Sequence, residues 1–430
     1  MITRLRRSAG IAGLSWGLID QGFSSATNLG LSVIAGRVVG ANGLGVVYLG
    51  FVAYLMFQTM QRGWLTDPLV VASASLPAEE RADAARRALA IVIGAAVVAS
   101  ALLLMLGLLI PDPYGHGLIL FVPWLGAALI QDFWRAVLFR DGRGRAAALN
   151  DGLWAAVMVL TLPLLLVSRD PWIVVLTWGA GALAGGAIGF VQTGLRPAGG
   201  RDAVRWWVDR AWPLARWLAS ESVLLVIQVQ VVIFALAVIL GTTDLGGLRS
   251  VQAVFAPMTL LTQAIAFPGL PMLTKFSATS RRLALGWAVR LSLLGVGLLL
   301  CYLLGVALFP HHLLGAVFGH DFDRFDNLIA PVALQQLVFA AALGFFLLLK
   351  AQGRGRALVV SRVIGAVSAM VLAIVLALAS GLTASAWGLT IAAAAGAVAT
   401  TVLALVPGGG RGAASQPSPP VEAVPSQTLD

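Results

Sequence analysis

Charged side chains inside long apolar runs are the residues of this sequence most able to do chemistry. Asp20 lies within the run that contains "LSWGLIDQGFSS", and Arg62 and Arg135 each lie within another apolar run. On insertion scales, a charged residue at the centre of a membrane-spanning helix costs about 3 kcal/mol. Such residues therefore face a water-filled cavity or a binding partner, and they often belong to ion or substrate pathways.

Asp20 begins a polar face on its predicted helix. Gln21, Ser24, Ser25 and Asn28 follow it, at a spacing that places their side chains on one side of an α-helix. We predict that Asp20 lines a central polar cleft, where its carboxylate could bind a proton or a sodium ion. The alternative is a buried acid that hydrogen bonds to neighbouring Ser or Gln side chains and holds helices together.

Arg62 and Arg135 lie deep in their runs, toward the cytoplasmic side of the orientation derived below. Gln58, Gln61 and Asp67 accompany Arg62, and Gln131 and Asp132 accompany Arg135. An arginine fork binds phosphate through two parallel hydrogen bonds, so these residues could receive a phosphate-bearing headgroup. The alternatives are snorkelling of the arginines toward the inner headgroups and a local ion pair.

These charges stand out because the rest of the chain is apolar. Of its 430 residues, 59% are hydrophobic and 11% are charged, whereas soluble domains carry about 25% charged residues. The composition therefore predicts a polytopic membrane protein. Cys301 is the one cysteine of the sequence, which excludes a disulfide framework and a thiolate metal site within the chain.

Turn residues and charge clusters divide the chain into twelve apolar segments, each near or above the ~20 residues that a helix needs to span the hydrocarbon core. None alternates strictly between apolar and polar residues, as membrane-spanning strands do. The sequence therefore predicts an all-α polytopic membrane protein. The predicted spans are 11–38, 45–71, 88–110, 116–139, 147–167, 171–194, 217–240, 247–273, 284–308, 328–349, 357–379 and 384–406.

The positive charges predict the orientation of these spans. Arginines and lysines are concentrated in alternate gaps, and cytoplasmic loops are the ones that carry this excess. Both termini are therefore predicted to be cytoplasmic, and the net charge of +10 reflects topology rather than nucleic-acid binding. The charged gaps are near residues 4–7, 81–87, 140–145, 196–216, 275–282, 350–356 and 411; the opposite gaps hold little beyond Arg37, Arg169, Arg249 and Arg324.

An internal repeat relates the two halves of the chain. A shift of 201 residues places Trp16 on Trp217 and Asp20 on Glu221, and it aligns Gly40 with Gly241, Leu44 with Leu245 and Gly45 with Gly246. The alternative is chance, because glycine and leucine are common here, but intramembrane acids are rare. Six spans per half is an even number, so the halves are predicted to be parallel six-helix bundles related by an axis along the membrane normal.

The predicted organisation follows from this repeat. Residues 1–195 and 217–406 form the two bundles, and residues 407–430 form a disordered cytoplasmic tail rich in Pro, Ser and Gly. The linker 196–216 is either a helix that lies at the inner membrane interface or a simple connection with aromatic belt residues. Arg249, at the start of the eighth span, could bind an anionic group near the outer side or mark the interface.

The outer loop 309–327 is the best candidate for an enzymatic site. Its "DFD" at 321–323 resembles the metal-binding acidic pairs of membrane glycosyltransferases, but it lacks the large outer domain of those enzymes. A solvated loop is the simpler interpretation. The sequence contains no Walker motif. We therefore predict a protein that is not an enzyme and that uses no cofactor or metal.

Two stretches resemble a known family. "SWGLIDQGFSSATNLGLSVIAGRVVGANGLGVVYLGF" (15–51) and "GLRSVQAVFAPMTLLTQAIAFPGLPML" (247–273) look like the openings of the two halves of polysaccharide transporters, the O-antigen flippase-like branch of the multidrug/oligosaccharidyl-lipid/polysaccharide (MOP) exporter superfamily. The resemblance implies a V-shaped fold with a central lumen, alternating access and lumen cations that hold a lipid-linked pyrophosphate. The sister multidrug branch uses a first-helix aspartate for ion coupling, and the lipid II flippase branch usually has fourteen spans.

The resulting hypothesis is a flippase or exporter of polyprenyl-linked oligosaccharide or polysaccharide precursors in a bacterial plasma membrane. Its expected partners are the lipid-linked glycan, membrane lipids, H+ or Na+, and glycan synthesis enzymes, with no nucleic acid. The alternatives are a multidrug/cation antiporter of the same fold, which predicts an acidic lumen, and a membrane glycosyltransferase. The candidate substrate-binding residues are Arg62, Arg135, Arg249, Gln58 and Asn28, and the candidate ion-coupling residues are Asp20 and Glu221.

Overall fold

The structure is a computed structural model that describes residues 2–73, 76–308 and 313–406. The predicted disordered tail 407–430 lies outside the described residues. Some residues within the described ranges have a backbone description but no side-chain description. These are residues 2–15, 17, 18, 20, 21, 24, 214, 217, 221, 259, 260, 263, 264, 267, 268, 271 and 278.

The described chain is almost entirely helical, and none of the described residues lies in a β-strand. The helices up to residue 193 are α1 (Ile2–Gln61), α2 (Asp67–Ser73), α3 (Ala78–Leu109), α4 (Tyr114–Ile119), α5 (Val122–Arg140), α6 (Gly144–Thr161) and α7 (Pro171–Thr193). The later helices are α8 (Arg201–Trp206), α9 (Trp212–Leu225), α10 (Val232–Leu240), α11 (Thr242–Val254), α12 (Ala256–Thr279), α13 (Arg281–Ala307), α14 (Leu313–Phe318), α15 (Ile329–Ala351) and α16 (Gly355–Leu405).

Shorter helical turns of other types connect several of these helices. π-helical segments lie at Arg62–Thr66, Trp207–Ala211 and Val226–Val231, and 3-10 segments lie at Leu162–Leu166 and His320–Leu328. The first π-helical segment matters most for the site, because it begins with Arg62. π-helical turns inside α-helices occur frequently at functional sites.

The all-α, multi-pass membrane architecture predicted from the sequence is confirmed. Eight helical runs of the described residues are long and apolar enough to cross a membrane, while the count of twelve spans and the cytoplasmic termini remain predictions. α5, which carries Asp132 and Arg135, is not among the eight. The eight runs are Ser25–Ser73, Ala78–Leu109, Gly144–Leu166, Pro171–Thr193, Leu218–Leu240, Arg281–Ala307, His320–Ala351 and Gly355–Leu405.

Glycine kinks divide the two longest helices. α16 has 51 residues and would be about 75 Å long if it were straight, against a hydrocarbon core of about 30 Å. It is broken at Gly381, where φ is 76° and ψ is −161°. α1, with 60 residues, is broken at Gly40 with φ 69° and ψ −173°. Only glycine adopts these backbone angles readily, so each glycine separates two of the predicted spans.

Two predicted spans have different boundaries in the structure. The segment predicted at 116–139 comprises α4 and α5, because Pro123 lacks an N–H group and opens a new helix in its first turn. The segment predicted to begin at 247 begins at Thr242 and is interrupted at Phe255, before Pro257 opens α12. Proline thus interrupts apolar runs that hydropathy alone treats as continuous.

Close contacts between glycines and tryptophans hold α7 against its neighbours. An ideal Cβ on Gly179, Gly181 or Gly189 would lie 2.1, 2.2 or 2.0 Å from a tryptophan ring atom. The three rings belong to Trp124, Trp154 and Trp134, respectively. Water does not drive helix association inside a bilayer, so small residues that permit close packing take over this role. These contacts hold α7 against α5 and α6, and they fix Trp154, which lines the site described below.

The two halves of the chain meet along α1 and α11, at residues that the sequence repeat aligns. A Cβ on Gly45 would lie 1.7 Å from the carbonyl oxygen of Thr242, and one on Gly246 would lie 1.9 Å from that of Ala41. Ala41 and Thr242 are also 201 residues apart, so the contact is reciprocal with respect to the sequence repeat. We call these four residues the outer seam, because the predicted topology places them near the outer membrane face.

A second close contact between the halves lies farther along α1. A Cβ on Gly63 would lie 1.8 Å from Ser222 Oγ and 2.8 Å from the carbonyl oxygen of Leu218. The predicted topology places this contact, which we call the inner seam, toward the cytoplasm. The two seams are tight contacts between the halves, and the predicted topology places them on opposite sides of the membrane midplane.

Candidate functional site

A cavity of about 340 Å³ lies between the outer and inner seams, on the side of the first half. Four of the seven candidate residues line it, namely Asn28, Gln58, Arg62 and Arg135. α1 and its π-helical extension supply the first three, and α5 supplies Arg135. The other lining residues are Thr27, Phe51, Tyr54, Leu55, Gln131, Asp151, Trp154 and Trp178.

Arg62 forms a two-pronged ion pair with Asp132 of α5. Its Nε donates to both carboxylate oxygens, at 3.1 and 2.9 Å, and its Nη2 also donates to Oδ1. The Asp132 side chain is 2% exposed, whereas that of Arg62 is 43% exposed. The sequence analysis placed Asp132 with Arg135, but the structure pairs it with Arg62 across two helices. Arg62 keeps further N–H groups for a ligand, because a guanidinium carries five.

Gln58 completes the environment of the Asp132 carboxylate. Its Nε2 donates to Asp132 Oδ1 at 3.0 Å and to the hydroxyl oxygen of Tyr54 at 2.7 Å. Gln58 and Arg62 are four residues apart and therefore lie on one side of the helix. A buried carboxylate is stable when it is paired and its oxygens accept hydrogen bonds, and Asp132 meets both conditions.

A second arginine–aspartate pair joins α5 to α6. Arg135 Nε is 3.9 Å from Asp151 Oδ2, and the side chains are 18% and 6% exposed. Gln131 donates to Asp151 Oδ1 at 2.6 Å and to Asn150 Oδ1 at 3.2 Å. Asn150 in turn donates to the carbonyl oxygen of Gly185 at 3.0 Å. This buried network fixes α5, α6 and α7 relative to one another.

Asp151 is not among the site residues predicted from the sequence. The signal was present, because Asp151 is an acid inside the predicted span 147–167. Its partner could not be identified from spacing alone, since Arg135 lies on a different helix. Asp132 and Asp151 each face one of the two cavity arginines.

Aromatic rings form the remaining wall of the cavity. Trp178 lies at the centre of this cluster, with ring centroids 5.0 Å from Tyr54, 5.3 Å from Trp154 and 6.0 Å from Phe51. Edge-to-face geometry dominates these contacts, which is the arrangement that aromatic quadrupoles favour. The cavity therefore combines flat apolar faces with planar amide, carboxylate and guanidinium groups.

Arg249 lies outside this cavity but beside it. Its guanidinium carbon is 4.9 Å from the ring centroid of Tyr48 and 5.6 Å from that of Phe51, which lines the cavity. Its Nε donates to Ser32 Oγ at 3.2 Å. Among the described residues, no carboxylate lies within 4.0 Å of this guanidinium. Arg249 is on α11, so it brings a charge of the second half to α1 of the first.

The two candidate ion-coupling residues lie in helices, but their side chains are outside the described set. Asp20 belongs to α1 and Glu221 to α9. Ser222, the neighbour of Glu221, is buried at the inner seam. The roles of both acids remain predictions.

The outer loop is helical over most of its length. Its residues 313–318 form α14, and His320–Leu328 forms a 3-10 segment in which His320 Nδ1 is 3.4 Å from Asp323 Oδ2. No group of three or more His, Cys, Asp or Glu side chains within the described residues could hold a metal ion. Arg37 of α1 donates to the carbonyl oxygens of Ala316 and Val317, at 2.6 and 2.7 Å.

Solved structures of transporters resemble this architecture along nearly the whole chain. A structure described as lipid II flippase MurJ in an inward closed conformation has a TM-score of 0.69 and 11% identity, and covers 90% of this chain and 87% of its own. A multidrug resistance MATE family transporter of the MOP superfamily in an inward-facing conformation has a TM-score of 0.60 and 12% identity, with 88% and 93% covered.

A MOP superfamily transporter from Pyrococcus furiosus, whose binding pocket is described as having reverse polarity, also has a TM-score of 0.60 at 12% identity, and covers 92% of this chain and 94% of its own. The chain has the fold of the MOP transporter superfamily. No family model and no curated protein matches the sequence. At these identities the MOP fold is what the chain shares with these structures, and its membership in the polysaccharide branch remains a prediction.

Proposed function

We propose that this protein is a flippase or exporter of polyprenyl-linked oligosaccharide or polysaccharide precursors. The observation that carries the proposal is the cavity between the two seams, in which Trp154, Trp178 and Tyr54 lie beside Gln58 and Arg62. Aromatic faces contact the C–H surfaces of sugar rings, and planar amide and guanidinium groups hydrogen bond to hydroxyl and phosphate oxygens. A glycan with an anionic link needs both kinds of contact.

The arrangement of charges supports an anionic ligand near Arg249. Arg62 and Arg135 each have a carboxylate partner, so their positive charges are offset within the region. Arg249 has no such partner in the described part of the chain, and an arginine held against aromatic rings can still present its fork to phosphate. We therefore assign the phosphate contact to Arg249 and the glycan contacts to the cavity residues.

Movement of the ligand would follow alternating opening of the two seams. The outer seam joins α1 to α11, and the inner seam joins the π-helical turn of Arg62–Thr66 to α9. Both contacts form between the halves, so a rocking motion of the halves would open one at a time. The solved structures that resemble this chain are themselves transporters, which supports this mechanism.

We further propose that the protein works in a bacterial plasma membrane and that Asp20 or Glu221 couples transport to H+ or Na+. A glycan synthesis enzyme would supply the lipid-linked substrate on the cytoplasmic side. The second candidate function is a multidrug/cation antiporter, which the likeness to MATE transporters supports. Among the described side chains in and beside the cavity, Arg62, Arg135 and Arg249 offset Asp67, Asp132 and Asp151. The absence of a net negative charge there favours the flippase, because a cation exporter needs a net acidic site.

Reconstituted vesicles can test this function. The substrate is a polyprenyl diphosphate carrying a fluorescent oligosaccharide, and flipping is measured as the fraction of fluorescence that an external reducing agent destroys. We expect Arg249→Gln to lower the flipping rate at least tenfold, because the phosphate loses its cation. Arg290→Gln is the matched control: Arg290 stacks on Trp287 at 4.9 Å, far from the cavity along α13.

Two results would contradict the flippase proposal. One is flipping in the Arg249→Gln vesicles at the unaltered rate. The other is export of organic cations with no movement of the glycan lipid by the unaltered protein, which would establish the antiporter instead.

A further inference from the structure

We infer that the linker between the halves carries a docking surface for the headgroups of anionic phospholipids. The surface consists of Val204, Val208 and Trp212 together with the arginines at 201, 205 and 210. The inference goes beyond the proposed function and does not rest on it. Of the two interpretations of residues 196–216 that the sequence left open, it favours the interfacial helix.

The linker is continuous with a helix that enters the membrane. α8, the π-helical segment Trp207–Ala211 and α9 follow one another without a break, and Leu218–Leu240 is one of the candidate spans. The residues directly before this span are therefore close to the membrane surface. The lipid contacts then depend on which side of the helix is free of the rest of the protein.

One side of the linker packs against the first half. Ala203 and Ala211 are 1% and 0% exposed, and Trp206 and Trp207 pack against the buried cluster that contains Leu89. The turn before α8 is also anchored, because Ala198 N donates to the carbonyl oxygen of Arg86 at 3.1 Å. The linker is thus a fixed part of the protein surface rather than a loose tether.

The opposite side of the linker is exposed and apolar at its centre. Val204, Val208 and Trp212 are 54%, 47% and 40% exposed and recur every fourth residue. Arg201, Arg205, Arg210 and Arg216 are exposed as well, beside Asp202 and Asp209. Residues 201–216 therefore carry four positive and two negative charges, a net charge of +2.

This combination matches the chemistry of an anionic leaflet. Amphipathic helices bury an apolar side about 5–10 Å into the boundary between headgroups and acyl chains, and their basic residues bind phosphate. Anionic lipids attract juxtamembrane arginines more strongly than zwitterionic lipids do. A soluble protein partner fits less well, because the surface continues directly into the membrane-spanning part of α9.

The same surface touches the turn that positions Arg62. The ring of Trp212 is 5.4 Å from that of Trp207 and 6.5 Å from that of Trp64. Trp64 belongs to the π-helical segment that begins with Arg62 and forms the inner seam at Gly63. Lipid that seats the linker therefore also supports the inner seam.

Spin labelling of the full chain tests the surface. In a Cys301→Ser background, a nitroxide is placed at Val208→Cys and the protein is reconstituted into phosphatidylcholine vesicles with and without phosphatidylglycerol. Collision rates with oxygen and with a water-soluble nickel chelate report the depth of the label. We expect phosphatidylglycerol to lower nickel accessibility at least threefold and to raise oxygen accessibility.

Matched variants distinguish an effect of the linker arginines from a general effect of lost charge or of misfolding. The triple variant Arg201→Gln, Arg205→Gln and Arg210→Gln should lose the dependence on phosphatidylglycerol. Lys275→Gln, Arg282→Gln and Arg356→Gln, which remove the same charge from exposed positions of the second half, should keep it. A label at Val98, 59% exposed on α3, must report the same accessibility in every sample, which verifies insertion.

Either of two outcomes overturns the inference. In the first, the label at residue 208 is equally accessible to nickel in both lipid mixtures, so that the surface is left to water or to a soluble partner. In the second, the control triple variant removes the lipid dependence as fully as the linker variant does. Neither outcome involves the glycan substrate, so neither bears on the proposed transport.

Discussion

The two buried aspartates of the cavity region determine which groups of the site remain available to a ligand. Asp132 is 2% exposed and Asp151 is 6% exposed, and each accepts a hydrogen bond from a glutamine as well as facing an arginine. Taking a carboxylate out of water is costly unless a cation and hydrogen-bond donors surround it. The arginines thus stabilise the acids, and the ligand contacts fall to the groups that remain exposed.

The Asp132 pair gives a stability prediction at the residue scale. We expect Asp132→Asn to lower the free energy of unfolding by about 3 kcal/mol, because it leaves the buried side of Arg62 without its counter-charge. Thermal unfolding of the purified protein in detergent measures the change. Asp141→Asn is the control, since Asp141 is 29% exposed in its pairs with Arg81 and Arg140, and we expect a loss of at most about 1 kcal/mol. Equal losses in the two variants would show that burial does not decide the strength of the pair.

At the scale of the helices, glycines permit the close contacts between the two halves at both seams. At the outer seam, the atoms that a Cβ would meet are backbone carbonyl oxygens, which cannot rotate away. At the inner seam, the closest atom is the hydroxyl of Ser222, although the Leu218 carbonyl oxygen is also within 2.8 Å. The outer seam is therefore the less tolerant of the two to an added methyl group.

Alanine substitutions at the seams should bias the cavity toward opposite membrane faces. Leu55, which lines the cavity, is replaced by cysteine in the Cys301→Ser background and labelled with an impermeant maleimide. We expect Gly246→Ala to raise labelling from the outer face at least fivefold. We expect Gly63→Ala to raise labelling from the cytoplasmic face by a smaller factor.

Gly286→Ala serves as the control for these variants, because a Cβ at Gly286 meets nothing within 4 Å. Its labelling should equal that of the parent protein from both faces. If Gly246→Ala leaves outer labelling unchanged, the outer seam does not close the cavity.

At the scale of the whole molecule, the two halves contact each other through reciprocal elements. The outer seam relates Ala41 and Gly45 to Thr242 and Gly246 by the same shift of 201 residues that aligns Gly40 with Gly241. Gly40 and Gly241 both have positive φ, at 69° and 90°. Each of these glycines directly precedes a seam residue, Ala41 or Thr242, and turns its chain into the shared contact.

A disulfide across the outer seam should stop transport reversibly. Thr242 Oγ1 donates to Asn42 Oδ1 across the halves, so Asn42→Cys with Thr242→Cys in the Cys301→Ser background places two thiols in contact. We expect oxidation to reduce glycan flipping at least tenfold and reduction to restore it, because rocking requires the seam to part. The vesicle assay described above measures both rates.

A second cysteine pair controls for the chemistry of oxidation. Asn327 Nδ2 donates to Thr383 Oγ1 at 2.8 Å within the second half, so Asn327→Cys with Thr383→Cys bridges no moving contact. Its oxidised form should flip substrate at the parent rate. Full activity of the oxidised Asn42–Thr242 pair would rule out opening at this seam.

The fold class, several cavity residues and the seam glycines could be predicted from the sequence, because each depends on local properties of the chain. Only helices and closed β-barrels satisfy the backbone in lipid, and apolar runs of about 20 residues without strict alternation exclude the barrel, so the all-α membrane fold could be predicted directly. The cost of a charge in lipid marked Arg62 and Arg135 as residues that must share a polar environment, and both line one cavity together with Asn28 and Gln58. The repeat at 201 residues picked out the glycines that meet at the outer seam.

Only the tertiary structure shows which charged residues on different helices form ion pairs. Spacing put Asp132 with Arg135, one turn away on α5, whereas packing placed it against Arg62, which is 70 residues distant. Asp151 and the aromatic side chains of the cavity lie close together because α6 packs closely on α7, where Gly181 contacts the ring of Trp154. The sequence alone shows which side chains cannot face lipid, because the free-energy cost of placing a charge in lipid depends on that side chain and not on its neighbours. Which opposite charge each one meets depends on how the helices pack, and that is a property of the whole molecule.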